Sequence, residues 1–176
     1  LAEAYTHDWG TGQTGTFGLS SGDSAWTERA NVIDAMKFTC PSAGSLIKIA
    51  LLIDTPSAGH VQVAIYDHNP ATDMPNNLLW GSNSTYVASG WMEWQTPPVS
   101  LNADTVYWLA CWLDSPASIK YQTGAGRHVL WYERYGSWPA SVAGVSSGAY
   151  TNQYVMQATY LKSAPASTPE PAPTTS

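Results

Sequence analysis

The segment His128–Pro139, HVLWYERYGSWP, crowds Trp131, Tyr132, Tyr135 and Trp138 together, interleaves them with Glu133 and Arg134, and directly follows Arg127. That mixture suits sugar recognition. A pyranose ring has an apolar face of C–H groups that lies well on an indole or phenol, while its hydroxyls need polar partners at the rim. Trp131, Tyr132, Tyr135 and Trp138 are the candidate platforms, with Trp91, which follows Gly90, as a further one. Glu133, Arg127 and Arg134 are the candidate hydrogen-bond partners. A second reading gives the same rings a packing role, capping the ends of a sandwich or lying under loops. Trp9 stands in a Gly-rich segment and belongs to the same undecided group. Trp108 and Trp112, on one face of an apolar run, and Trp80, which closes an apolar trio, read as core.

Other chemistry has weaker support. His7, His60, His68 and His128 form no HExxH or HxH pair, and there is neither a Gly-x-Ser-x-Gly elbow nor a Gly-rich phosphate loop after a strand. Glu93 and Glu133 sit among aromatics and are the carboxylates to name for a glycoside hydrolase or lyase. A non-catalytic role is expected, because so few ionisable groups make a poor host for paired acid and base. Asp67, Asn69 and Asp73 lie in one loop and offer the oxygen ligands of a structural calcium ion. Asp and Asn also populate turns for conformational reasons. No other cofactor is indicated. Cys40 and Cys111 are expected to form one disulfide, worth about 4 kcal/mol for so long a loop. Their other reading is as two small buried hydrophobes. Asn83-Ser84-Thr85 is a glycosylation sequon.

The elements that would position these residues are strands. Short apolar runs recur between turn residues: 32–39, 46–53, 60–66, 78–80, 85–88, 91–96, 106–113, 119–123, 128–133 and 150–161. Val61, Val63 and Ile65 alternate with Gln62 and Ala64, the pattern of a half-buried strand. Val106–Leu113 is apolar on both faces, as a central strand would be. Residues 11–24 read as loop and 67–77 as a long polar turn. Ala30–Met36 could pass as helical, although Val32 and Ile33 argue against it. The pattern predicts an all-β sandwich, a jelly roll of eight to ten antiparallel strands over residues 1–162.

Composition narrows the function classes. Of 176 residues 44% are hydrophobic, 12% aromatic and only 11% charged, with a net charge of −6. Seven Lys and Arg draw no basic stripe, so a nucleic-acid partner is not expected. No apolar run approaches the roughly 20 residues of a membrane helix. Leu1 in place of an initiator Met reads as a processed chain whose signal peptide has gone. Residues 163–176, SAPASTPEPAPTTS, read as an extended linker or stalk leading to a tethered second domain. Together these features point to an extracellular, secreted or cell-surface setting.

Four stretches carry a resemblance: FTCPSAGSLIKIALLI (38–53), VQVAIYDHNPATDMPNNLL (61–79), GWMEWQTPPVSLNADTVYWLACW (90–112) and YERYGSWP (132–139). They resemble an extracellular β-sandwich domain of secreted bacterial and archaeal proteins, similar to carbohydrate-binding modules. The resemblance implies a jelly roll appended to a polysaccharide-degrading enzyme or a surface protein. It transfers no site residue. Two functions follow as expectations. One is a carbohydrate-binding module that attaches its parent protein to polysaccharide. The other is a structural subunit of an extracellular filament, surface layer or adhesin, with the aromatics as self-assembly contacts.

Overall fold

The computed structural model describes residues 12–142 and 148–164. His7, Trp9 and the tail beyond residue 164 lie outside the described residues. Within them the chain is a two-sheet antiparallel β-sandwich with no helix.

Fourteen strands, numbered in chain order, make two seven-stranded sheets. The first sheet runs β1 (Thr14–Gly18), β14 (Met156–Lys162), β4 (Gly44–Thr55) and β10 (Ala117–Gln122), with β8 (Gly90–Leu101) also on β4. Strand β10 carries β2 (Ser24–Glu28) and β13 (Gln153–Tyr154). The second sheet runs β12 (Gly148–Tyr150), β11 (His128–Tyr132), β3 (Val32–Cys40), β9 (Thr105–Leu113), β5 (His60–Asn69) and β6 (Met74–Gly81), with β7 (Thr85–Tyr86) on β5.

More strands form than the eight to ten expected. Residues 11–24 are not all loop: β1 lies there, its Phe17 is buried, and it pairs along β14. The polar turn is shorter than 67–77, because β5 reaches Asn69 and β6 resumes at Met74. Segment 150–161 divides among three strands. Val32–Met36 is strand, as its β-branched start requires.

The main core lies between the sheets. Met36, Ile49, Leu51, Val63, Ile65, Leu109, Ile119 and Met156 are fully buried there. Each such side chain contributes about 1.5–3 kcal/mol on burial. A second apolar cluster occupies the outer face of the second sheet. It joins Ile33, Ala35, Ala64, Tyr66, Trp108, Trp112, Val129 and Trp131. Strand β5 is therefore buried on both faces rather than half-buried.

The segment following β11 covers this outer face. It is tied down by hydrogen bonds from Tyr66 Oη to Pro139 O (2.8 Å), Gln62 Nε2 to Gly136 O (3.1 Å) and Trp112 Nε1 to Glu133 O (3.2 Å). Backbone bonds join Leu78 N to Ala140 O and Val142 N to Asn76 O. Trp138 packs so closely on Gly81 that a Cβ there would stand 2.3 Å from its Cδ1.

The cysteines do not bond to each other; both are buried free thiols. The register gives the reason. On the β3–β9 ladder Cys40 stands opposite Thr105, whereas Cys111 stands opposite Asp34. That separates them by roughly 20 Å along the strands, far beyond the Cα span a disulfide allows. They act as small core residues, and burial pushes both thiols above the usual pKa. Dithiothreitol is expected to leave the melting temperature unchanged, and Ellman titration in denaturant should count two thiols. A reductant-sensitive melt would contradict this register.

Candidate functional site

A cleft opens where the inter-sheet layer reaches solvent at one edge of the sandwich. Strand period explains its lining. Trp26 and Glu28 lie on one face of β2, the face whose neighbour on β10 is buried Ile119. On the opposite sheet His128, Leu130 and Tyr132 share a face of β11, paired with Met36, Asp34 and Val32 of β3. Tyr150 of β12 stands opposite His128. These positions continue the core outward, beyond the last apolar contacts.

The cleft has a volume of about 270 Å³. Its mouth carries three exposed rings: Trp26 (57% exposed), Tyr132 (70%) and Tyr150 (53%). Arg29 and Asn152 add polar groups, and Tyr121, Tyr154 and Val32 complete the wall and floor. Arg29 Nη1 donates to Tyr132 Oη at 3.1 Å.

Beneath the floor lies a buried polar network. Asp34, with no exposed surface, meets His128 Nε2 through Oδ1 at 2.6 Å. His128 Nδ1 lies 3.0 Å from the carbonyl of Asn152. A carbonyl oxygen only accepts, so Nδ1 carries a hydrogen, and Nε2 and Asp34 share the remaining proton. Burial pushes the Asp34 carboxyl up to about pKa 7; the His128 hydrogen bond works against that shift, and the Glu28 charge adds to it. Glu28 is also buried. Its Oε1 accepts the backbone N–H of Arg29 at 2.7 Å, and its Oε2 accepts the Tyr154 hydroxyl in a short hydrogen bond. Burial, together with the Asp34 and Glu28 charges, keeps the Tyr154 phenol protonated well above its usual range.

Of the candidate sugar-binding residues named from the sequence, Tyr132 alone lines this cleft. Trp131 is 2% exposed and cannot stack on a ligand; strand alternation turns it to the face opposite Tyr132, into the outer cluster. Tyr135 and Trp138 are half-buried against the same cluster, each with its ring centroid 5.3 Å from that of Trp112. Tyr135 also shares a 2.7 Å hydrogen bond with Ser84. The expected platform is thus largely the covering of a second core.

Trp91 is exposed, but on β8 of the first sheet. Arg127 is spent on Asp73, with its Nε 3.1 Å from Oδ2. Glu133 is half-buried and Arg134 exposed, both outside the cleft. Glu93 pairs with Lys48 at 2.7 Å on the first sheet and shares no site with Glu133.

Asp67, Asn69 and Asp73 do not converge as calcium ligands. Asp67 accepts from the backbone and amide of Asn77, Asn69 accepts the Ala71 N–H, and Asp73 binds Lys37 at 2.6 Å. The turn uses them conformationally. Among the described residues no group of three or more His, Cys, Asp or Glu could hold a metal ion. Asn83 is exposed.

Sequence reasoning missed Trp26, Arg29 and Tyr150. They are scattered singly through weakly patterned segments, and β2 became visible only through its pairing with β10.

No protein-family model and no curated protein matches the chain. Among solved structures it is similar to the crystal structure of the cysteine protease and lectin-like domains of Cwp84, a surface layer associated protein of Clostridium difficile. The TM-score is 0.54 at 15% identity, over 85% of this chain and 36% of that one. The present chain therefore spans about a third of that protein's chain, and the likeness is one of fold.

Proposed function

We propose that this β-sandwich is a non-catalytic carbohydrate-binding module that holds a secreted multidomain protein on polysaccharide. One observation carries the reading. Three exposed rings, Trp26, Tyr132 and Tyr150, gather around a single cleft with Arg29 and Asn152 at hand. Exposed aromatic surface invites association, and a ring-and-polar-rim cleft suits a sugar. The lectin-like domain named in the Cwp84 structure accords with this reading. Residues 163–176 would tether the module, so a weak single site suffices at high effective concentration.

The reading is non-catalytic because the cleft's carboxylates are already engaged. Both Glu28 oxygens accept protein hydrogen bonds, and Asp34 lies beneath the floor against His128. The filament reading draws less support. Edge strand β8 contains Pro97 and Pro98, which remove donors that strand addition would use.

Affinity electrophoresis against a panel of soluble polysaccharides tests the site. Trp26→Ala is expected to weaken retardation about tenfold, the worth of one stacked ring. Unchanged retardation, with the fold intact by circular dichroism, would place the site elsewhere.

A further inference from the structure

The following inference rests on the cleft being a sugar site and names the class of sugar. We propose that the cleft selects a glycan carrying a ring carboxylate, a uronic acid residue, and that Arg29 recognises that carboxylate.

Lys37, Lys48, Lys120 and Arg127 each hold a carboxylate, at 2.6, 2.7, 2.8 and 3.1 Å. Arg29 holds none within 4 Å among the described residues, although this is an acidic protein of net charge −6. Of the other cations without a carboxylate, Arg134 and Lys162 are exposed away from the cleft. Among the described residues Arg29 is thus the cleft's one lysine or arginine, and no carboxylate pairs with its guanidinium. Its neighbour Glu28 forms no ion pair with it within 4 Å, and turns its oxygens to the Arg29 backbone N–H and the Tyr154 hydroxyl.

The guanidinium is also held in place. Its Nη1 donates to Tyr132 Oη, which sets the fork beside a ring of the cleft mouth, and among the described residues no other group accepts from its remaining N–H groups. A sugar stacked between Trp26 and Tyr132 would strip water from that cation. Neutral hydroxyls would leave the charge poorly compensated, whereas a carboxylate meets it through two parallel charge-assisted bonds. Because the fork is pre-set, little ordering is lost on binding. The protein's net negative charge opposes a polyanion at long range, but that repulsion is screened beyond about 8 Å at physiological ionic strength. The local pairing decides the preference.

The experiment is affinity electrophoresis of the full chain at 0.15 M salt. The probes are polygalacturonate, alginate and hyaluronan, the carboxyl-reduced form of each, and a sulfated galactan. The expected result is retardation by at least one polyuronate and not by its reduced form. Arg29→Gln should weaken it about tenfold or more, and Arg29→Lys should restore little because a point charge lacks the fork. Equal retardation by the reduced polymer, or none lost in Arg29→Gln, overturns the acidic-sugar assignment. The cleft itself survives that outcome if Trp26→Ala still weakens retardation. Equal retardation by the sulfated galactan overturns the carboxylate in favour of any anion. Retardation by no polymer at all, acidic or neutral, overturns the inference and the sugar reading together.

Discussion

Trp131→Ala is expected to destabilise the protein by about 3–5 kcal/mol, the cost of emptying a buried indole site. The melting temperature should fall by roughly 10 °C or more for a chain of this size. The reason is positional. Trp131 is 2% exposed, packs edge-on to Tyr66 with ring centroids 6.4 Å apart, and lies in the cluster with Trp108 and Trp112. The segment after β11 closes over that cluster, so a cavity there cannot simply fill with solvent. Tyr132→Ala, one residue along, is the contrast. Its ring is 70% exposed and its hydroxyl only accepts from Arg29, so stability should change by about 0.5 kcal/mol. Binding should rank the two variants in the reverse order: Tyr132→Ala loses polysaccharide, while folded Trp131→Ala keeps it. Paired urea melts and affinity gels measure both. A Trp131 variant that melts like the parent but no longer binds would restore 131–138 as the sugar platform and remove the second core from the argument.

This contrast shows where the sequence was legible. Strand alternation in Val61–Ile65 and the double-sided apolar run of β9 announced the sandwich, because period and burial are local properties. What those runs could not announce is what covers the outer face of a sheet. A cluster of Trp and Tyr reads equally well as platform or as lid. The choice depends on whether Trp138 finds Gly81 and Tyr66 finds Pro139, contacts that span 57 and 73 residues. The cleft was hidden for a related reason. Arg29 lies about a hundred residues from its partner Tyr132, and Trp26 lies just before it, in a stretch whose Ser and Thr content gives no apolar rhythm. Tyr132 was found because it lies beside Trp131, and its strand neighbour then proved to face the other way. Cys40 and Cys111 failed as a disulfide because strand register, which the sequence does not display, sets which residues meet.

Stability should fall between about pH 4 and pH 7, and Asp34 should be responsible. Its folded pKa is raised from 3.8 to about 7. A raised carboxyl binds its proton more tightly in the folded state, so its contribution is complete below the unfolded pKa. It is lost as pH rises through the folded one. At about 1.4 kcal/mol per unit the loss approaches a few kcal/mol, or roughly 10 °C in melting temperature. The carboxylates of Asp73 and Asp114 work in the opposite sense. Asp73 is lowered chiefly by its hydrogen bond to Lys37. Asp114 is lowered because its bonds to His60 outweigh the opposing effect of burial. Both act at the acid edge of the window, whereas His68, its pKa lowered chiefly by burial, opposes Asp34 inside it by favouring the fold as pH rises. Asp34→Asn isolates the effect. The amide mimics the protonated acid, and its N–H₂ can donate to His128 Nε2 while Nδ1–H keeps the Asn152 carbonyl. The variant should match the parent near pH 4, melt higher at pH 8, and lose the downward slope between, leaving the slight rise that His68 contributes. Thermal melts at half-unit steps decide the matter. Parallel profiles for parent and variant would mean that Asp34 is not the group that titrates. A variant uniformly less stable at every pH would mean that the Asp34–His128 pair is held as an ion pair whose charge the fold needs. The network also underlies the cleft floor, where His128 packs its ring 5.5 Å from Tyr150. Loosening above pH 7 should therefore weaken polysaccharide retention in the parent and spare it in Asp34→Asn, which links the buried acid to the exposed rings.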